Sequence, residues 1–160
     1  MSLLDLLPGR RKPALSDATV RDVAGMVPIH AAAFHRGWSQ GEFVELLENR
    51  DVAAHRATIG QTLAGFILSR IVAGEAEILS VAVAPRWRSR GIAGQMLDLH
   101  LRSLAGRGVT TVFLEVGETN IPAQRLYRRA GFREVGRREG YYPDPRGQRT
   151  AALILRRDIA

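Results

Sequence analysis

Between Ser80 and Gly94 the chain reads SVAVAPRWRSRGIAG: an alternating apolar run stops at Pro85, passes three arginines and opens an amphipathic stretch at Gly91. That succession predicts a strand, a basic turn and a glycine-rich helix start. The first turn of a helix leaves backbone N–H groups unpaired, and the helix dipole adds partial positive charge there. A pyrophosphate can lie against those groups where no side chain blocks it, which Gly91, Ala93 and Gly94 permit. The residues suit a nucleotide-like anion, although a basic turn before a glycine helix cap is also ordinary structure. Two common phosphate loops are excluded. A P-loop needs Gly-x-x-x-x-Gly-Lys-Ser/Thr, and the one lysine of the chain is Lys12. The dinucleotide fingerprint Gly-x-Gly-x-x-Gly is not met by Gly91-Ile92-Ala93-Gly94-Gln95-Met96.

The segment Arg88-Ser89-Arg90-Gly91-Ile92-Ala93 resembles the Arg/Gln-x-x-Gly-x-Gly/Ala signature of the GNAT (GCN5-related) N-acetyltransferases, in which it cradles the pyrophosphate of acetyl-coenzyme A. Downstream, Asn120-Ile121-Pro122-Ala123 and then Leu126-Tyr127-Arg128-Arg129-Ala130-Gly131-Phe132 are similar to the Asn-x-x-Ala…Leu-Tyr-x-x-x-Gly-Phe pattern of the same superfamily. Within it, three features resemble the RimI-type ribosomal-protein alanine N-acetyltransferases. They are Trp38-Ser39 with Phe43, Leu114-Glu115-Val116, and Arg137-Arg138 with Tyr141-Tyr142-Pro143. The resemblance spans roughly residues 16 to 157.

What the resemblance implies is specific. Acetyl-coenzyme A would be held at Val81, Ala82 and Val83 and at Arg88, Ser89, Arg90, Gly91, Ile92, Ala93 and Gly94. Asn120 would meet its pantetheine arm, with Tyr127 beside it. Glu115 would be the general base and Tyr127 the general acid. The acceptor would be a protein N-terminus, of the ribosomal protein S18 kind that begins with alanine, entering past Trp38, Tyr141 and Tyr142. Acetyl transfer to an amine does ask for such groups: a neutral nucleophile, a polarised thioester carbonyl and a proton for the departing thiolate. An α-amino group, with an ordinary pKa of ~8 against ~10.4 for lysine, needs only a modest base.

Structural readings of the same residues stay open. Glu115 could pair with an arginine such as Arg133, and Tyr127 could pack with Leu126 and Phe132. Tyr141 and Tyr142 could be an aromatic pair flanking a turn. Glu77 is a rival base, expected to share a strand face with Leu79, Val81 and Val83; Glu75 and Glu118 read as solvated. Relatives of the RimI type often carry an acidic residue where this chain has Arg149-Thr150-Ala151, which puts the acceptor more in doubt than the mechanism. The alternatives are a GNAT enzyme acting on a small amine or another protein, and a non-catalytic basic RNA- or ribosome-binding module. The last lacks an aromatic-basic nucleic-acid motif.

The elements that must position these residues follow from periodicity. Apolar positions predict a short strand at 14–18 and a helix through Val23, Met26, Val27, Ala31 and Phe34, broken or kinked by Pro28. Ser39 and Glu42 form a capping box for a helix over Gln40–Glu48. Strands are expected at 52–59, 63–72 and 76–84, a helix over about 91–106, and a buried strand at 109–116. A helix over about 121–130 and strands at about 132–141 and 150–157 complete the order β-α-α-β-β-β-α-β-α-β-β. That order predicts an α/β fold with one central mixed sheet and helices on both faces.

Composition bounds the rest. The 160 residues fit one domain, read as 14–160 behind a flexible arm at 1–13. No apolar run reaches the ~18 residues of a membrane span, and the start does not read as a secretory signal, so a cytoplasmic protein without a membrane partner is expected. There is no cysteine, hence no disulfide, thiol nucleophile or Cys-based metal site. His30, His35, His55 and His100 lack metal-ligand spacing, and no metal is expected. The net charge of +7 favours anionic partners, with no sequence-specific nucleic-acid binding expected. A monomer or weak dimer is expected.

Overall fold

In the computed structural model the chain runs β1 (Ala14–Asp17), α1 (Val23–Ala33), α2 (Gln40–Glu48), β2 (Val52–Ile59), β3 (Thr62–Val72), β4 (Glu75–Val83), α3 (Ile92–Gly106), β5 (Thr111–Gly117), α4 (Ile121–Arg129), β6 (Arg133–Pro143) and β7 (Arg149–Asp158). The structure describes residues 11–143, 146 and 148–159, so most of the expected arm at 1–13 lies outside the described residues. All seven strands join one sheet in the order β1-β2-β3-β4-β5-β7-β6. β4 and β5 pair in parallel, and the other neighbours pair antiparallel.

The sheet has an apolar layer on each face. On one, Ile92, Met96, Leu97, Leu101 and Leu104 of α3 pack on Ile67, Ile78, Val112 and Leu114, and Tyr127 of α4 joins them. This is the inner stripe that the 3.6-residue periodicity of α3 predicts. On the other face, Val23, Met26 and Ile29 of α1 and Phe43 of α2 cover Phe66, Leu68 and Ala82. The capping box of α2 is formed: Ser39 Oγ accepts the Glu42 N–H at 3.1 Å, and the Glu42 carboxylate accepts the Ser39 N–H at 2.8 Å.

Two local expectations are corrected. The break expected at Pro28 does not occur, and the residue lies inside α1 without ending it. Buried Met26, Ile29 and His30 press both halves onto the sheet, and that packing outweighs the one lost N–H bond. Secondly, Glu77, Leu79, Val81 and Val83 do not share a face. The pairing of β3 with β4 shifts between Leu68↔Ser80 and Ser69↔Ile78, which leaves Leu79 as the extra residue of a β-bulge. Leu79 packs with the α1/α2 layer, whereas Val81 and Val83 pack with the α3 layer. The strand period of two is broken between Glu77 and the residues nearest the phosphate turn.

Under α3 lies a buried polar chain. His55 Nδ1 and His100 Nδ1 are 2.7 Å apart, and His100 Nε2 is 2.6 Å from Ser69 Oγ. His55 Nε2 lies 3.4 Å from Asp17 Oδ1 at the surface. With both rings neutral the donors run one way: Ser69 O–H to His100, His100 Nδ1–H to His55, and His55 Nε2–H to Asp17. Burial pushes the His100 pKa down to about 3, with help from His55. Burial also lowers that of His55, opposed by Asp17 and aided by Arg107. His30, stacked between Phe34 and Trp38, is pushed by burial to about 4 against the raising effect of Glu42.

These depressed values tie stability to pH. The unfolded chain takes up protons near pH 6.5 that the folded chain refuses, so stability present above pH 6.5 is lost as pH falls below it. Each such histidine removes up to about 1.4 kcal/mol per pH unit in that window. Urea midpoints measured at pH 8 and pH 7 should nearly coincide and then drop steadily by pH 5. A midpoint unchanged between pH 8 and pH 5 would contradict this account.

Candidate active site

Beyond β4 the chain makes a 3-10 turn at Pro85–Trp87 and enters α3 through two left-handed residues, Ser89 (φ 62°) and Gly91 (φ 78°). Arg88 Nε donates to Val83 O at 3.0 Å and folds the turn back on the strand end. The guanidiniums of Arg86 and Arg90 lie over the Trp87 ring at 4.7 and 5.0 Å from its centroid, stiffening the turn through cation–π contact. Gly91 is the N-cap of α3 and supplies no side-chain cap. A Cβ added to Gly91 would meet nothing within 4 Å, so its positive φ, not crowding, is what calls for glycine.

One strand over, β4 and β5 part company. They pair only where Glu75, Ala76 and Glu77 face Thr111, Val112 and Phe113. The other edge of β4 stays tied to β3, with Val81, Ala82 and Val83 opposite Ile67, Phe66 and Gly65. A side chain at Gly65 would come within 2.7 Å of Ala82 O, so only glycine lets the two strands close there. The edge of Val81–Val83 that faces β5 therefore opens into a cleft of about 1070 Å³.

That cleft collects nearly all the residues expected at a cofactor site. Val81, Ala82, Val83, Arg88, Ser89, Gly91, Ile92, Ala93, Gly94, Asn120 and Tyr127 line it. Arg90 is absent from the lining, its guanidinium lying over Trp87 instead. Ala32, Ala33 and Phe34 at the end of α1, Trp87, and Arg129 and Arg157 also line the cleft, and sequence reasoning missed them. Trp87 carried a usable signal in its flanking arginines; Arg129 and Arg157 carried none, being brought together by the docking of α4 over β7. Asn120 Oδ1 accepts the Ala123 N–H at 3.3 Å and caps α4. The amide of Gln124 donates to Gly117 O at 3.1 Å and Glu118 O at 2.9 Å, holding the turn beneath Asn120.

Tyr127 is 8% exposed, with its ring edge-to-face on Phe132 at 5.8 Å. It packs as the structural reading expected and faces the cleft as the catalytic one did. Glu115 lies on the other side of the sheet. Its neighbours Leu114 and Val116 point into the α3 layer, so strand alternation turns Glu115 away from it. There Glu115 and Glu77 line a second concavity of about 410 Å³ with Arg70, Phe113 and Ile154. The arginine paired with Glu115 is Arg138, at 3.2 Å, and not Arg133.

Glu118 is not simply solvated. It accepts the Ala151 N–H at 3.0 Å and pairs with Arg137 at 2.5 Å. Those contacts, the backbone N–H first, hold its pKa below the usual carboxylate range and make it a poor base. Trp38 stacks on His30 at 4.4 Å, and its backbone N–H donates to His30 Nδ1 at 3.0 Å. It lines neither concavity. Tyr141 and Tyr142 continue the backbone of β6, with Tyr142 opposite Thr150, and their side chains lie outside the described residues. Among the described residues no group of three or more His, Asp or Glu side chains is placed to hold a metal ion.

An uncapped helix start thus lies beside a parted pair of parallel strands. The sequence profile of the acetyltransferase (GNAT) family matches residues 23–132. The chain belongs to this family. Among curated GNAT relatives, the [ribosomal protein bS18]-alanine N-acetyltransferase of Haemophilus ducreyi is 31% identical over 137 residues, covering 84% of this chain and 92% of its own. The enzyme of that name from Escherichia coli K12 is 29% identical over 140 residues, covering 88% and 94%. The crystal structure of the ribosomal-protein-S18-alanine N-acetyltransferase from Escherichia coli superposes with a TM-score of 0.87 at 28% identity, over 93% of this chain and 95% of that one. Arabidopsis thaliana NAA60 in complex with acetyl-CoA shares the fold, with a TM-score of 0.82 at 23% identity over 92% and 99%. The expected sheet, with its two helical layers, is thus the GNAT fold.

Proposed function

We propose that this GNAT chain is an Nα-acetyltransferase that moves the acetyl group of acetyl-coenzyme A onto the N-terminal alanine of ribosomal protein bS18. The observation that carries the reading is the cleft, where an uncapped helix N-terminus and an unpaired strand edge meet in one cavity that Tyr127 also lines. The near full-length match to enzymes named for that reaction supports the acceptor.

In this reading the first-turn N–H groups of α3 at Ile92–Gly94, with Arg88 and Ser89, hold the pyrophosphate. Asn120 meets the pantetheine arm, and the free N–H groups of Val81–Val83 polarise the thioester carbonyl. Glu115, from the opposite face of the sheet, takes a proton from the incoming ammonium, which competes with Arg138 for the carboxylate. The neutral amine nitrogen bonds to the acetyl carbon as the carbon–sulfur bond breaks. The Tyr127 phenol gives its proton to the departing thiolate, and the second proton that the acylated nitrogen sheds restores the phenol. Cofactor and acceptor reach the parted strands from opposite faces, so neither blocks the other. Tyr141, Tyr142 and Trp38 flank the acceptor side, the domain spans 14–160, and the protein works in the cytoplasm as a monomer or weak dimer.

Thiol release from acetyl-coenzyme A tests the reading, with a bS18 N-terminal peptide beside the same peptide carrying a blocked N-terminus. Turnover with the free peptide alone is expected. Equal turnover with both would move the acceptor to a side-chain amine. Binding of the cofactor with no turnover on either peptide would favour a small amine.

A further inference from the structure

Arg137 and Arg138 of β6 serve opposite faces of the sheet. Arg137 lies opposite Leu153 of β7 and Arg138 opposite Ala152. Leu153 packs in the α3 layer, so strand alternation puts Arg137 on that side and Arg138 on the face of Glu115. Arg137 pairs with Glu139 and with Glu118, which also accepts the Ala151 N–H, and it ties the turn after β5 to the last two strands. Arg138 instead crosses β7 to Glu115, with Nη2 at 3.2 Å from Oε1. At the level of Arg138 that strand presents only alanine, which leaves room for the reach. The pair is 51% and 23% exposed and adds little to stability. Directly past Arg138 the register shifts, leaving Glu139, Gly140 and Tyr141 against the single residue Ala151 before Tyr142 meets Thr150. Gly140 turns left-handed there, at φ 65°. Irregularities of this kind re-aim side chains beside active sites.

We infer that Arg138 reads the carbonyl of the acceptor's first residue and so selects an N-terminal amine over a side-chain amine. The inference rests on the Nα-acetyltransferase reading above and deepens it. Before the acceptor arrives, the guanidinium neutralises Glu115. The incoming ammonium takes over the carboxylate, and the displaced guanidinium needs another oxygen. An N-terminal residue brings one, since its carbonyl oxygen lies about 3 Å from its own amine nitrogen. That is close to the 3.2 Å between Arg138 Nη2 and Glu115 Oε1. A carboxylate with a guanidinium at its side thus complements an ammonium with a carbonyl at its side. A lysine side chain offers the ammonium with no carbonyl next to it. Arginine suits the exchange, because five N–H donors in a planar fork let it give up one oxygen and bind another with little movement.

Two acceptors test the inference: the bS18 N-terminal peptide, and the same peptide with an (E)-alkene in place of its first peptide bond, which keeps the shape and removes the carbonyl. The kcat/KM of each is measured with the wild type, Arg138→Met and Arg137→Met, and an alkene peptide too slow to turn over is titrated as a competitive inhibitor. Arg138→Met should lose about tenfold on the ordinary peptide, mostly in KM, the worth of one hydrogen bond from a charged donor. On the alkene peptide it should stay within a factor of ~3 of the wild type, since the partner of that bond is already gone. Arg137→Met should affect both peptides alike. Equal losses on both peptides in Arg138→Met, a gain on both, or no loss on either overturns the role of Arg138 and leaves the acetyltransferase reading intact. A loss confined to the ordinary peptide in Arg137→Met does the same. Binding of acetyl-coenzyme A checks the fold of each variant, and Arg138→Lys carries the comparison should Arg138→Met fail to bind it. A wild type inactive on the ordinary peptide overturns the acceptor reading and this inference with it.

Discussion

Tyr127→Phe should lower turnover by about 10²- to 10³-fold and leave the affinity for acetyl-coenzyme A within a factor of ~3. The substitution removes one hydroxyl and keeps the ring that packs on Phe132 within the α3 layer, so the cleft should keep its shape. On the proposed mechanism, what is lost is the proton donor for the departing thiolate, a contact that matters in the transition state more than in the bound ground state. The expected signature is a fall in kcat with little change in KM. Rapid-mixing measurement of thiol release, beside equilibrium binding of the cofactor, separates the two quantities. Wild-type turnover would reduce Tyr127 to its packing role. A parallel loss of cofactor affinity would make it a binding residue only.

Glu115→Gln should lower kcat/KM by about 10²-fold near pH 7, and the deficit should shrink as pH rises. The acceptor's α-amino group has an ordinary pKa of ~8, so below that value a base must remove its proton and above it the amine arrives neutral. Wild type and variant should therefore converge at alkaline pH. The same profile for Glu77→Gln should stay close to wild type. Both carboxylates line the second concavity, but Glu77 lies where β4 and β5 are still paired, and Glu115 lies beyond the last pair, beside the opening. A deficit that is flat with pH, or one that follows Glu77, would displace Glu115 as the base.

Most of the fold was legible because its elements announce themselves locally. Ser39 and Glu42 named the start of α2 before any contact was known, and Met96, Leu97, Leu101 and Leu104 traced the buried stripe of α3. Gly91 marked the helix start because a left-handed cap has few other occupants. Where reading failed, a long-range contact had overruled a local rule. Pro28 stays helical because Met26 and Ile29 are pinned to the sheet, and Leu79 leaves the strand period because β4 must bulge against β3. The His55–His100–Ser69 chain was not legible, since nothing in the spacing of β2, β3 and α3 brings three such groups within hydrogen-bonding distance.

The sequence by itself determined the family, the order of elements and the glycine-rich turn before α3. Each depends on residues close together along the chain, where helix caps, strand alternation and backbone freedom are decided by neighbours. The tertiary structure alone decided which residues share the cleft and which charges are committed. It placed Tyr127 and Glu115 on opposite faces of the sheet, gave Glu115 to Arg138 instead of Arg133, and brought Arg129 and Arg157 into the lining of one cleft. Those outcomes depend on how far β4 and β5 part and on how α4 seats over β7. Both are set by packing among segments distant in the chain, and no local pattern encodes such packing.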